Sequence, residues 1–187
     1  GFISGDDSLS FTAGEVHVRE AAVSDSPFTL ASDESIAFER TMEAGGQSRT
    51  VEMNAHMVHL TRSFEGAPLG SLVILALPQV EILGQQIEVL DQVDPASLVS
   101  DARGSSGELQ QQQRIGNRSV RILGQNRSVE VFSGTATGEG ESADARVYLT
   151  SFDHQGDTIV AFGVVPQVAS DDERAVLSLL EELTYEG

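Results

Sequence analysis

The chain has no cysteine among its 187 residues, which excludes disulfides, thiolate metal sites and a cysteine nucleophile together. Lysine is absent as well: all 11 basic residues are arginine, set against 29 acidic ones, for a formal net charge of -18. Lysine is ordinarily among the commonest residues, so its loss beside an acid excess marks the bias of a proteome rather than of one site. Halophilic organisms carry that bias, because a dense carboxylate surface stays hydrated in concentrated salt and repels itself in dilute buffer. An acidic protein from an ordinary organism is the alternative, and the missing lysine argues against it. Such a surface disfavours nucleic acid as a partner and electrostatic docking on anionic lipid. Long hydrophobic runs are missing too. The longest, Leu72 to Leu77, is far too short for a helix to span a bilayer. No Met opens the chain and no signal peptide is visible, so a processed or trimmed product is expected.

What is present reads as one domain with a well-buried core, since 40% of the residues are hydrophobic. Residues 1–10, GFISGDDSLS, are small, polar and acidic and suit a flexible lead-in, leaving 11–187 as the domain. The organising stretch is RVYLTSFDHQGDTIVAFGVVP at 146–166, two strand-like runs about the turn Asp153-His154-Gln155-Gly156. Its second run, Ile159 to Val165, is apolar on both pleat faces, which predicts a central strand covered on both sides. Gly45-Gly46 signals another hairpin, after which Val51, Met53, Ala55 and Met57 share one pleat face while Glu52, Asn54 and His56 share the other.

Glu65 to Gly70 reads as a loop, Ser71 to Leu77 as a buried strand stopped by Pro78, and Val80 to Leu90 as a short pair about Gly84. Asp94-Pro95 starts a helix reaching about Arg103. Gly138 to Asp144 reads as an acidic loop, and Phe11 to Val23 fits a strand or a short helix equally. Ser170-Asp171-Asp172-Glu173 reads as a capping box opening a helix over 171–184, with Val176, Leu179, Leu180 and Leu183 as its stripe. Without βαβ alternation, the class is α+β: a mainly antiparallel sheet of about six to eight strands, packed by the closing helix and one or two shorter helices.

The segments FERTMEAGGQSRTVEM at 38–53, LPQVEILGQQ at 77–86 and GDTIVAFGVVP at 156–166 resemble a haloarchaeal family of exported, predicted lipoproteins of unassigned function. The resemblance implies export to the outer face of the membrane and a lipid-modified Cys, which this Cys-free chain has either lost or carries just before Gly1. It carries over no catalytic residue. The last third also resembles the sandwich of PsbP-like extrinsic photosystem subunits, an analogy at the level of fold.

Candidate chemistry is sparse. No GxSxG, HExxH, Walker or GxGxxG motif occurs. Asp153, His154 and Asp157 ring the organising turn and are the candidate set for a hard cation, although Asp and Gly are what a tight turn favours anyway. His56 and His59, three apart in a strand, fall on opposite faces and cannot chelate one ion together, and His17 shows no partner spacing. Asp91 and Asp94 form a distant acid pair, of which capping accounts for Asp94. No catalytic residue, metal or cofactor is assigned. Asn117-Arg118-Ser119 and Asn126-Arg127-Ser128 match the N-glycosylation pattern, and each is expected on a polar turn. The expected role is a non-enzymatic surface binding or scaffolding module with other surface or membrane proteins as partners. The rival is a carboxylate- or metal-dependent hydrolase whose site is assembled from residues distant in sequence.

Overall fold

The computed structural model describes residues 9–44, 46–64, 67–82, 85–87, 108–138, 141–166 and 170–186. Strands β1 (Leu9–Thr12) and β2 (Glu15–Val18) are followed by a short helix α1 (Glu20–Ser24). Three long strands then run as β3 (Thr29–Ala44), β4 (Gln47–Phe64) and β5 (Ala67–Pro78), with the small pair β6 (Val80–Ile82) and β7 (Gln85–Ile87) after them. The second half holds β8 (Glu108–Ile122), β9 (Gln125–Gly138), β10 (Glu141–His154) and β11 (Asp157–Pro166). Helix α2 (Ser170–Glu181) and strand β12 (Leu183–Glu186) complete it. Eight strands form one sheet in the order β1-β4-β5-β11-β10-β9-β8, with β3 paired to β4. The class is therefore α+β and mostly antiparallel, β1 being the parallel exception through Leu9↔Val51 to Thr12↔Asn54.

The organising strand sits where its apolarity places it. β11 lies between β5 and β10, pairing Ile159 with Ala76 and with Phe152. One pleat face, through Val160, Phe162 and Val164, joins Met53, Met57, Val73 and Leu75 in one core cluster. The other, through Ile159, Ala161 and Val165, joins Leu72, Ile74 and Tyr148 beneath Val176, Leu179 and Leu180 of α2. Alternate residues thus feed two cores on opposite sides of one sheet. β4 serves both as well: Val51, Met53, Ala55 and Met57 belong to the first cluster and Val58 and Leu60 to the second.

Gln155 at φ 48° and Gly156 at φ 89° make the β10–β11 connection, the two positive values that a two-residue primed turn requires. Leu123 at φ 50° and Gly124 at φ 85° repeat it between β8 and β9. That second turn corrects the reading of the sequons. Asn117 lies within β8, opposite Glu130, and Asn126 opens β9, so a single connection separates them rather than two. Their side chains are both exposed.

Other boundaries also move. β1 begins inside the segment expected as a lead-in, because β4 offers it a ladder. The expected loop Glu65 to Gly70 is largely strand, with Pro68 beside a register shift at Arg62/Ser63, where a missing donor is tolerated. Of the expected acidic loop Gly138 to Asp144, residues 141–144 are already strand, with Glu141 paired to Gly138. The closing helix stops at Glu181 rather than 184, since Leu183 to Glu186 pair with β2. The expected helix from Asp94 to Arg103, with Asp91 and Asp94, lies outside the described residues.

Candidate functional site

Three clusters of polar side chains join segments distant in sequence. The first surrounds the organising turn. Asp157, 7% exposed at the head of β11, accepts hydrogen bonds on Oδ2 from the Tyr185 hydroxyl and, at 2.7 Å, from the Gly14 N–H. Gly14 is sterically required there. A Cβ would stand 2.5 Å from the Glu186 carbonyl oxygen and 2.7 Å from the Tyr185 hydroxyl. Burial, then the hydrogen bond and charge of Asp157, push the Tyr185 phenol up to about 12. The His154 ring meets Tyr185 edge-on at 5.0 Å, and burial together with the charge of Arg127 lowers its pKa against the opposing pull of Asp157. Asp153 accepts from the Thr158 hydroxyl at 3.1 Å. Of the candidate cation set, His154 and Asp157 both contact Tyr185 of β12, while Asp153 holds Thr158 within the hairpin.

The second cluster pins helix α2 to the sheet. Glu173 Oε1 accepts from Arg118 Nε at 2.6 Å, and Oε2 accepts from Arg146 Nη1 and the Tyr148 hydroxyl, each at 3.1 Å. Its carboxylate therefore ties the first turn of the helix to the sheet. Burial works to raise its pKa, but the hydrogen bonds from Arg118 and Tyr148 and the two guanidinium charges outweigh it, leaving it lowered. Burial and the neighbouring Glu173 push Tyr148 up to about 12.

The third cluster is the one that sequence reasoning missed. Glu15 and His17 are two apart on β2 and share a face, while Val16 between them is fully buried. They meet Asp33 of β3 and His56 of β4. Asp33 Oδ2 lies 2.7 Å from His17 Nδ1 and Oδ1 lies 2.6 Å from His56 Nε2, so one carboxylate holds both rings. The rings stand edge to face at 4.9 Å. His17 Nε2 is 3.6 Å from Glu15 Oε1. The hydrogen bond to Asp33 raises the His17 pKa against desolvation, helped by the charges of Asp33, Glu15 and Glu186. His56 is 4% exposed, and its Nδ1 is buried without a hydrogen-bond partner among the described residues. His59 belongs elsewhere, with Nε2 3.1 Å from the Ser71 hydroxyl. The reading that His56 and His59 cannot share an ion agrees with this, but the useful partner of His56 came from another strand. The Glu-x-His spacing on β2 was the signal available.

A family model described as a domain of unknown function (DUF6517) matches residues 15–184. Among solved structures, the solution structure of cyanobacterial PsbP (CyanoP) from Synechocystis sp. PCC 6803 is similar at 9% identity. That match covers 100% of this chain and 98% of that one, with a TM-score of 0.35. No curated protein matches.

Proposed function

The chain belongs to the DUF6517 family, a domain of unknown function, and from that premise we propose that it is a non-enzymatic, exported binding or scaffolding module of a halophilic archaeon. It stands at the outer face of the cell membrane, held by a lipid anchor upstream of Gly1, and engages other surface or membrane proteins. The acid excess without lysine supports the habitat. Exposed Asn117 and Asn126 suit glycan attachment after export.

The observation that carries the binding role is β3. Among the described residues this strand of 16 pairs on one side, with β4, and holds an unbroken register from Ser32 to Ala44. The opposite edge, β8, is instead interrupted by two register shifts, at Gln110/Gln113 and Arg114/Gly116. Bulges blunt an edge, whereas a straight edge is a template for one more strand. Glu34 and Glu39 along β3 discourage pairing with a second copy and favour an extended partner segment that carries arginine.

Strand N–H groups alternate in direction, so one of Glu34→Pro and Ser35→Pro removes an outward donor while sparing the β3–β4 ladder. Purification from native membranes in high salt should recover a partner with the wild type and lose it with the variant that still folds. The same partner recovered with both would remove β3 as the docking edge. The rival hydrolase reading is favoured by the convergence of Glu15, His17, Asp33 and His56 from three strands. Turnover of activated ester or phosphoester substrates that disappears in His17→Gln would select it.

A further inference from the structure

The geometry points to a divalent transition-metal site built by Glu15, His17 and His56, with zinc the ion it fits best and Asp33 the group that orients it. This site stands whether or not a partner adds to β3. One ligand atom from each of the three residues lies within 4.8 Å of the other two. Zinc bonds of about 2.0–2.2 Å arranged tetrahedrally place ligand atoms roughly 3.4 Å apart, so the set must contract by about an ångström. Glu15 Oε1 already lies 3.6 Å from His17 Nε2, and its side chain, 57% exposed, is able to adjust toward an ion.

The protonation pattern favours the ion. A carboxylate only accepts, so Asp33 takes the N–H of His17 Nδ1 and of His56 Nε2. In its neutral form each imidazole then presents its remaining nitrogen as a lone pair. For His56 that nitrogen is the buried Nδ1 with no hydrogen-bond partner among the described residues, a costly arrangement for a polar atom unless something binds it. For His17 it is Nε2, which faces the Glu15 carboxylate. A carboxylate behind a ligating histidine fixes the ring orientation and raises its basicity, and here one carboxylate does so for two rings.

Two imidazoles and one carboxylate suit zinc, copper(II), nickel(II) or iron(II), and are poor company for magnesium or calcium, which prefer oxygen alone. The site opens outward. With His17 33% and Glu15 57% exposed, a fourth position reaches solvent, as it does in zinc sites that hold a water beside three protein ligands.

Zinc sulfate titrated calorimetrically into the folded chain in concentrated sodium sulfate tests this, because high salt suppresses diffuse attraction to the acidic surface. One equivalent of zinc should bind and raise the melting temperature, and magnesium should neither bind there nor compete. Glu15→Gln and His17→Gln should each weaken binding by at least about tenfold, and Asp33→Asn by about 10- to 100-fold. His56→Gln removes a buried ring and can fail to fold, so the deciding variant is Glu15→Gln at an exposed ligand, with Asp144→Asn at another exposed acid as the control that changes nothing. Absence of zinc binding by the folded wild type would overturn the site. So would zinc affinity that is unmoved by Glu15→Gln and His17→Gln, or reduced equally by Asp144→Asn, since surface carboxylates would then be holding the ion.

Discussion

Asp157 shows how a residue chosen for a turn acquires a second task. Its position at a hairpin head is ordinary, but its buried carboxylate is held by Tyr185 and by the Gly14 N–H, from opposite ends of the sequence. Tyr185→Phe should cost about 1.5–3 kcal/mol, the range for a hydrogen bond to a charged group, read as a fall in melting temperature. Gly14→Ala should cost about 1–3 kcal/mol, since the backbone of Glu186 cannot withdraw from the new methyl without opening the β2–β12 ribbon. Glu173 sets the acid limit. Its folded pKa is lowered, so its contribution is complete above the ordinary carboxylate value of 4.5 and is lost as pH falls through the folded one. Stability measured from pH 7 down to pH 2 should therefore fall less steeply in Glu173→Gln than in the wild type, from a lower plateau. The turn itself was legible because Asp-His-Gln-Gly is local information. The bonds of Asp157 and Glu173 were not, because Tyr185, Arg118 and Arg146 reach them only through the sheet.

At the scale of elements, patterns that needed no partner were readable. β11 was legible as central from its two apolar faces, the Gly45-Gly46 reversal from its glycines, and α2 from Val176, Leu179 and Leu180. Segments that become strands only because a neighbour offers a ladder were not. β1, β2 and β12 have four residues each, too few to show a period, and take their form from β4 and from one another. Asn117 was misplaced for a related reason: a polar run on an exposed edge strand looks like a turn when the sheet is not in view. Leu180 is 1% exposed between α2 and the sheet, so Leu180→Ala should cost about 2–5 kcal/mol in chemical denaturation. An unchanged midpoint would detach the helix from the core.

For the whole molecule, a net charge of -18 spread over a chain of this size makes salt a structural variable. In dilute buffer the self-repulsion of the carboxylates is nearly unscreened, while at about 1 M salt the Debye length is roughly 3 Å and most of that cost is gone. Thermal unfolding across a chloride series should show stability rising steeply below about 1 M whatever the monovalent ion, then more slowly and in an ion-specific order as exclusion strengthens apolar burial. A flat profile would separate the acidic surface from halophily. The ribbon that sets Val18 beside Leu183 bears on how this chain comes to be folded at all. Closing so long a loop costs entropy before any contact repays it, and topologies rich in such pairs fold slowly. Among the described residues, β5 gains its second neighbour when β11 exists, and β2 gains its ladder partner when β12 does. A nascent chain therefore carries one ladder edge of Ser71 to Leu77 open until residues 157–166 have been made. Such a chain completes its sheet only in one late step, once its last strands are in place.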